Sequence, residues 1–129
     1  MKKFLSSMGV LDTQRSRSEI SQCSNVLQQI TGKKVELFRA PYGDYNSNLV
    51  TLAKSLECFT IQWNVDSLDW KPDIGKDEIM YRVKSKLVPG SILLFHNDTK
   101  HTADMLGDIV KVIKNEGYEI VPVSGLIMF

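Results

Sequence analysis

Three short clusters in this chain have the residue types and spacing for hydrolytic chemistry. His96 follows directly on the apolar run 91–95, with Asn97 and Asp98 after it. Asp66, Asp69 and Trp70 form a second cluster, and Arg39 with the turn Pro41-Tyr42-Gly43 forms a third. An imidazole is a competent acid near neutral pH. A carboxylate beside it would hold the ring and stabilise the imidazolium, and a nearby arginine would keep a further carboxylate ionised. A backbone amide in a Pro-Tyr-Gly turn can donate to an oxyanion. Such a set suits hydrolysis of an ester or amide by an activated water. What is missing is the means of activating the water. The chain has no nucleophile elbow, no evident Cys–His pairing and no HExxH or HxxxH spacing, and His101 is its other histidine.

Each of these residues also has a plainer reading. Arg39 could lie along the surface on its aliphatic stem, and Pro41-Tyr42-Gly43 could be only a turn with a packed ring. Asp66 and Asp69 could cap loop amides, the better reading for Asp66. Trp70 could close a core, and His96 could be a satisfied core histidine. The case for chemistry is that the clusters end successive strands.

The elements that must position them follow from periodicity. Ile20, Cys23, Leu27 and Ile30 recur at helical spacing from an N-cap at Ser18 to a stop at Thr31-Gly32. Residues 35–38 read as a strand, and Asn46 or Ser47 caps a second helix with Leu49, Val50, Leu52, Ala53 and Leu56 as its stripe. Residues 58–65 read as one strand, 76–87 as a helix with Ile79, Val83 and Leu87 inward, and 91–95 as the most apolar strand. A helix over 102–116, with Ala103, Leu106, Ile109, Val110 and Ile113 inward, is ended by Gly117, and a last strand covers 119–123. The order αβαβαβαβ predicts an α/β fold of parallel βα units in one domain, as an open sheet or a β/α barrel. The polar strand ends favour the barrel-like layout, in which they would emerge on one face.

Bulk properties exclude several classes. The chain has 129 residues, 43% hydrophobic and 24% charged, with a net charge of +1. That length suits one core, and that charge implies no broad attraction to nucleic acid or anionic membrane. No stretch approaches the roughly 18 apolar residues of a membrane span. The first residues carry Lys2 and Lys3 without the long apolar region of a signal peptide. Cys23 and Cys58 read as two small buried hydrophobes rather than a disulfide or metal pair.

Arg39-Ala40-Pro41-Tyr42, Asp66-Ser67-Leu68-Asp69-Trp70 and Leu94-Phe95-His96, in this order, resemble three successive motifs of the polysaccharide deacetylases, carbohydrate esterase family four. Gly117-Tyr118 and the residues 120–124 after it resemble that domain's closing strand. The resemblance extends from about Ser18 to Leu126. It implies a distorted β/α barrel that removes acetyl groups from N-acetylated sugars of peptidoglycan, chitin and related polymers, using a divalent metal, often zinc. By resemblance, Arg39 would orient the catalytic-base aspartate, and the Tyr42 amide would help form the oxyanion hole. Asp69 would tune the general acid His96, while Pro41, Trp70 and Leu94 would line the substrate pocket, Trp70 and Leu94 where the acetyl methyl sits.

The departure matters as much. The family's first motif, a strand ending in paired aspartates, and its second, a His-x-x-x-His metal pair, do not occur in this sequence. In many relatives the second motif is followed closely by a segment like Met1-Lys2-Lys3-Phe4-Leu5-Ser6. The chain thus reads as the carboxyl-terminal portion of a deacetylase domain, truncated at its N-terminus. Its metal ligands are absent, and so is the carboxylate that Arg39 would meet. The expectations are weak metal binding, negligible activity alone, and self-association through exposed strand edges. A full-length parent would be extracellular or cell-wall associated. The competing expectation is a non-catalytic carbohydrate-binding or structural remnant, and a weaker one is an enzyme acting on a small amide.

Overall fold

The computed structural model describes residues 12–127, and Met1 to Leu11, Met128 and Phe129 lie outside that range. The chain falls into two compact units, one ending at Gln62 and one beginning at Trp63.

The first unit opens on helix α1 (Thr13–Thr31). The helix starts five residues before the Ser18 cap read from the sequence. Asp12 is the cap, its carboxylate accepting from Arg15 N–H at 2.8 Å, and an ionised acceptor satisfies a first-turn amide better than a hydroxyl does. Ser18 instead lies inside the helix, its Oγ accepting from Gln22 Nε2 at 2.9 Å. Gly32 ends the helix at φ 68°, returning its N–H to the Gln28 carbonyl. Strand β1 (Leu37–Phe38) leads to a one-turn 3-10 segment at Pro41–Gly43, and helix α2 (Ser47–Ser55) follows with Asn46 as its side-chain cap. Strand β2 (Phe59–Thr60) pairs parallel with β1. Ile20, Ala40, Leu49 and Leu52 form the core.

The second unit contains β3 (Val65–Asp66), α3 (Lys76–Lys86), β4 (Leu93–Leu94), α4 (Thr102–Asn115) and α5 (Val123–Ile127). Strands β3 and β4 are parallel, with Val65 opposite Leu93 and Asp66 opposite Leu94. Ile74, Ile79, Val83, Met105, Ile109 and Ile113 form its core. The α/β class with parallel strands therefore holds.

Several boundaries differ from the sequence reading. The run 58–65 is two strands rather than one: Phe59–Thr60 pairs with β1 and Val65–Asp66 with β4. The last strand does not form. Ile120 and Val121 are exposed, Pro122 offers no ladder donor, and the chain turns into α5 at Val123. On α1 only Ser16 and Ile20 are buried, so Cys23, Leu27 and Ile30 lie exposed. Cys58 is buried as expected, and burial pushes its thiol upward against the opposing pull of a Ser24 hydrogen bond. Val50 on α2 is exposed as well.

Helix α4 is rotated from its expected face. Thr102, Met105, Ile109 and Ile113 point inward, whereas Ala103 and Leu106 are exposed. Ile109→Ala is therefore expected to cost about 2–5 kcal/mol, and Leu106→Ala under about 1 kcal/mol, as read from urea unfolding midpoints. Equal losses would place the helix in the other phase.

Candidate active site

In the first unit, the end of β1 is shaped by alternation. Ala40 is buried in the core between exposed Arg39 and half-buried Pro41. Anchoring Ala40 turns the chain sharply, and Tyr42 takes a left-handed conformation at φ 58°, followed by Gly43 at φ 69°. For a bulky residue this costs on the order of 1–2 kcal/mol. No core packing offsets it, because the Tyr42 ring is 73% exposed. What holds the turn is local: Gly43 N–H donates to the Ala40 carbonyl at 2.9 Å, and Gln62 Nε2 donates to the Gly43 carbonyl at 2.8 Å. Arg39 is engaged in an interaction of its own rather than standing free.

In the second unit, the loop after β3 places Asp66 and Asp69 in different roles. Asp66 caps its own loop, Oδ1 accepting from Leu68 N–H at 2.9 Å, which is the plainer of its two readings. Its carbonyl accepts from Arg82 Nε on α3 at 3.0 Å. Leu68 is left-handed at φ 57°, and that bend sends Asp69 inward and Trp70 outward. Asp69 is 1% exposed and Trp70 is 54% exposed, so the tryptophan closes no core.

The Asp69 carboxylate meets His96 across the sheet. Its Oδ1 lies 2.8 Å from His96 Nδ1, and its Oδ2 accepts the His96 backbone N–H at 2.8 Å. Thr102 Oγ1, at the start of α4, donates to the same Oδ2 at 2.7 Å. Burial pushes the Asp69 carboxyl upward, but the donors from the His96 backbone, the Thr102 hydroxyl, the His96 ring and Ser67 outweigh it. They leave the group below its ordinary value and ionised. The His96 side chain is 39% exposed, against 0% for Asp69. The ring is thus neither a core histidine nor a free surface one. Its Nδ1 is committed to the carboxylate, while Nε2 has no hydrogen-bond partner among the described residues. An imidazole so held can pass a proton at Nε2 while the carboxylate stabilises its charged form. Leu94, two residues earlier on β4, is buried.

The sequence reading singled out Arg39, Pro41, Tyr42, Asp69, Trp70, Leu94 and His96. The first three lie in the first unit and the other four in the second, where Asp69 and His96 are in direct contact. It missed Thr102, Ser67, Gln62 and Arg82. Hydroxyls and amides carry no periodic signal, and each of these acts on a residue distant from it in sequence or on loop backbone. Among the described residues no three His, Cys, Asp or Glu side chains lie close enough to hold a metal ion. The described residues do not fit one, and His101 heads α4 without making a side-chain cap bond.

Residues 5–61 match the polysaccharide deacetylase family. The chain is 30% identical over 116 residues, 90% of its length, to the peptidoglycan-N-acetylmuramic acid deacetylase PdaC of Bacillus subtilis. The chain is related to the polysaccharide deacetylases. It is 27% identical over 114 residues to a peptidoglycan-N-acetylglucosamine deacetylase of Bacillus cereus, across 85% of this chain. A CE4 family pseudoenzyme from Bacillus anthracis superposes with a TM-score of 0.84 at 29% identity, covering 91% of this chain and 41% of that one. The chain spans about a quarter of the Bacillus subtilis relative and 41% of the Bacillus cereus one. Its parallel βα units share the α/β fold of these solved CE4 relatives.

The Asp69 geometry carries a pH dependence. A carboxyl whose folded value is depressed contributes stability that is fully present above the ordinary carboxylate value, about pH 4. That contribution is lost as pH falls through the lower folded value. Asp69→Asn is expected to cost about 1.5–3 kcal/mol at pH 7, with the gap between variant and parent narrowing below pH ~4. Urea unfolding at pH 7 and in the acid limb reads both, and a gap that does not change with pH would contradict the assignment.

Proposed function

We propose that this chain carries the proton-donor part and the oxyanion-donor loop of a polysaccharide N-deacetylase acting on acetylated peptidoglycan glycans. The observation that carries this reading is the double grip of the buried Asp69 carboxylate on His96, ring and backbone, at 2.8 Å each. Two curated relatives named for deacetylation of peptidoglycan sugars support the substrate class.

The chemistry is amide hydrolysis. A carboxylate base of the parent protein takes a proton from water as its oxygen adds to the acetamide carbonyl, the carbonyl oxygen becomes an oxyanion, and the C–N bond then breaks as the amine is protonated. In the second unit, His96 donates the proton at Nε2 to the departing amine nitrogen, while Asp69 holds the ring and offsets its charge. In the first unit, the left-handed bend at Tyr42 presents its backbone N–H to the oxyanion. There Arg39 orients a carboxylate base, while Trp70 and Leu94 of the second unit receive the acetyl methyl. A divalent metal such as zinc belongs to this reading only through the family, because the paired aspartates and the His-x-x-x-His pair are not in this sequence. The chain therefore supplies the acid without the groups that activate water. A parent protein bearing those groups would work outside the cell or at the cell wall.

A second reading is a non-catalytic carbohydrate-binding protein. It is favoured by the missing motifs and by the solved relative described as a pseudoenzyme. The purified chain, incubated with N-acetylglucosamine oligomers with and without added zinc, is expected to release no acetate above the blank. Metal-dependent release would overturn the claim that it is inactive alone. Saturable binding of the same oligomers without release would favour the second reading.

Self-association is part of the proposal. Val26, Leu27, Ile30 and Phe59 are exposed in the first unit, and among the described residues each sheet has only two strands. Open edges and apolar faces of this kind recruit partners. Analytical ultracentrifugation is expected to show dimers or larger species at micromolar concentration, and a stable monomer would count against it.

A further inference from the structure

The carboxylate that holds His96 is itself held from the far end of the same loop. His96 and Thr102 bracket the segment between β4 and α4, and both donate to Asp69 Oδ2, from the backbone N–H at 2.8 Å and the hydroxyl at 2.7 Å. Behind Thr102 stands a second hydroxyl, Thr99 Oγ1, which donates to Thr102 Oγ1 at 2.7 Å. The bend that lets the loop return passes through Asp98, left-handed at φ 55°. Thr102 is 8% exposed, so its hydroxyl is shielded from competing water.

Donor direction in this chain is determined by its end. An ionised carboxylate accepts only, so the Thr102 proton must point at Asp69. Thr102 oxygen is then free to accept, and the Thr99 proton must point at Thr102. With Oδ2 occupied by two donors, Oδ1 is the oxygen left for His96 Nδ1, which it meets at 2.8 Å. A carboxylate pinned at one oxygen cannot rotate about its own axis, so the ring that donates to its other oxygen is oriented too.

We propose that Thr102, backed by Thr99, is a positioning residue that fixes the orientation and tautomer of His96 through Asp69, keeping the proton on Nδ1 and presenting Nε2 outward. The proposal deepens the proton-donor reading of His96 and rests on it for its functional meaning. The geometry it describes is measurable without any turnover.

The test is nitrogen-15 NMR of the histidine rings in the full chain, at about pH 8.5, well above the ordinary imidazole value. His101 serves as the internal control. In the parent, His96 is expected to populate the Nδ1–H form alone. Thr102→Val keeps the side-chain shape and removes the donor, and the Nδ1–H population is expected to fall toward a mixture of the two tautomers. Thr102→Ser keeps the hydroxyl and is expected to restore the parent signal. Thr99→Val lies one step further out and is expected to lower the same population by less. An unchanged population in Thr102→Val, or a Thr102→Ser signal matching that of Thr102→Val, overturns the proposal, the latter by showing that shape rather than the hydroxyl matters. If Thr102→Val does not fold, an unchanged population in Thr99→Val is the overturning result. Acetate release is not read, so the outcome is independent of whether the chain deacetylates sugars.

Discussion

The second unit holds a carboxylate with a fully buried side chain, and its survival as an ion depends on donors from three places in the chain. Removing a carboxylate from water costs several kcal/mol unless hydrogen bonds replace the solvent. Asp69 receives those bonds from the end of β4, from the start of α4 and from its own loop at Ser67. Each donor is placed by a different element. The site is therefore coupled to the fold of the unit: the β3–β4 register, the loop after β4 and the rotation of α4 must all be right for the charge to be tolerated. This coupling explains why Thr102 rather than Ala103 opens the inward face of α4. An inward hydroxyl at 2.7 Å from an ionised oxygen outweighs the burial of one methyl group.

The same logic appears on the backbone. Among the described residues, four other than glycine have positive φ, and three of them, Tyr42, Leu68 and Asp98, lie in the loops that follow β1, β3 and β4. Left-handed backbone is unfavourable for such residues and persists where surrounding bonds over-determine it. At Leu68 the Asp66 cap supplies that constraint, and at Tyr42 the Gly43 and Gln62 hydrogen bonds do. At Leu68 the bend re-aims the next groups, sending Asp69 inward and Trp70 outward. Strain of about 1–2 kcal/mol per position is small beside the cost of a misplaced charge.

Cys58 shows that composition alone predicts burial unevenly. Its thiol donates to the Val35 carbonyl at 3.4 Å and sits in the core, while Cys23, on an equally periodic helix, is exposed. The periodicity of α1 is real, but its buried residues, Ser16 and Ile20, lie in its first half, where Arg17 also donates to Ser55 Oγ on α2 at 3.1 Å. A helical stripe shows that a face exists. It does not show what covers that face.

Much of this protein was legible in the residues themselves. The parallel α/β class, a side-chain cap for α2 at Asn46 or Ser47, the inward Ile79 and Val83 and the Asp66 loop cap all follow from local chemistry: hydrophobic period, capping oxygens and turn-forming residues act within a few positions of themselves. What required the tertiary structure was everything set by distant partners. The run 58–65 is split because its ends pair with different strands, and the closing strand is lost because Pro122 and its exposed neighbours find no ladder. The phase of α4 and the roles of Thr102 and Gln62 depend on a carboxylate and a carbonyl 33 and 19 residues away in sequence. Residue chemistry alone sets which side chains can carry a proton. Only packing decided which oxygen of Asp69 would hold the ring, because that choice is made by donors that meet through space.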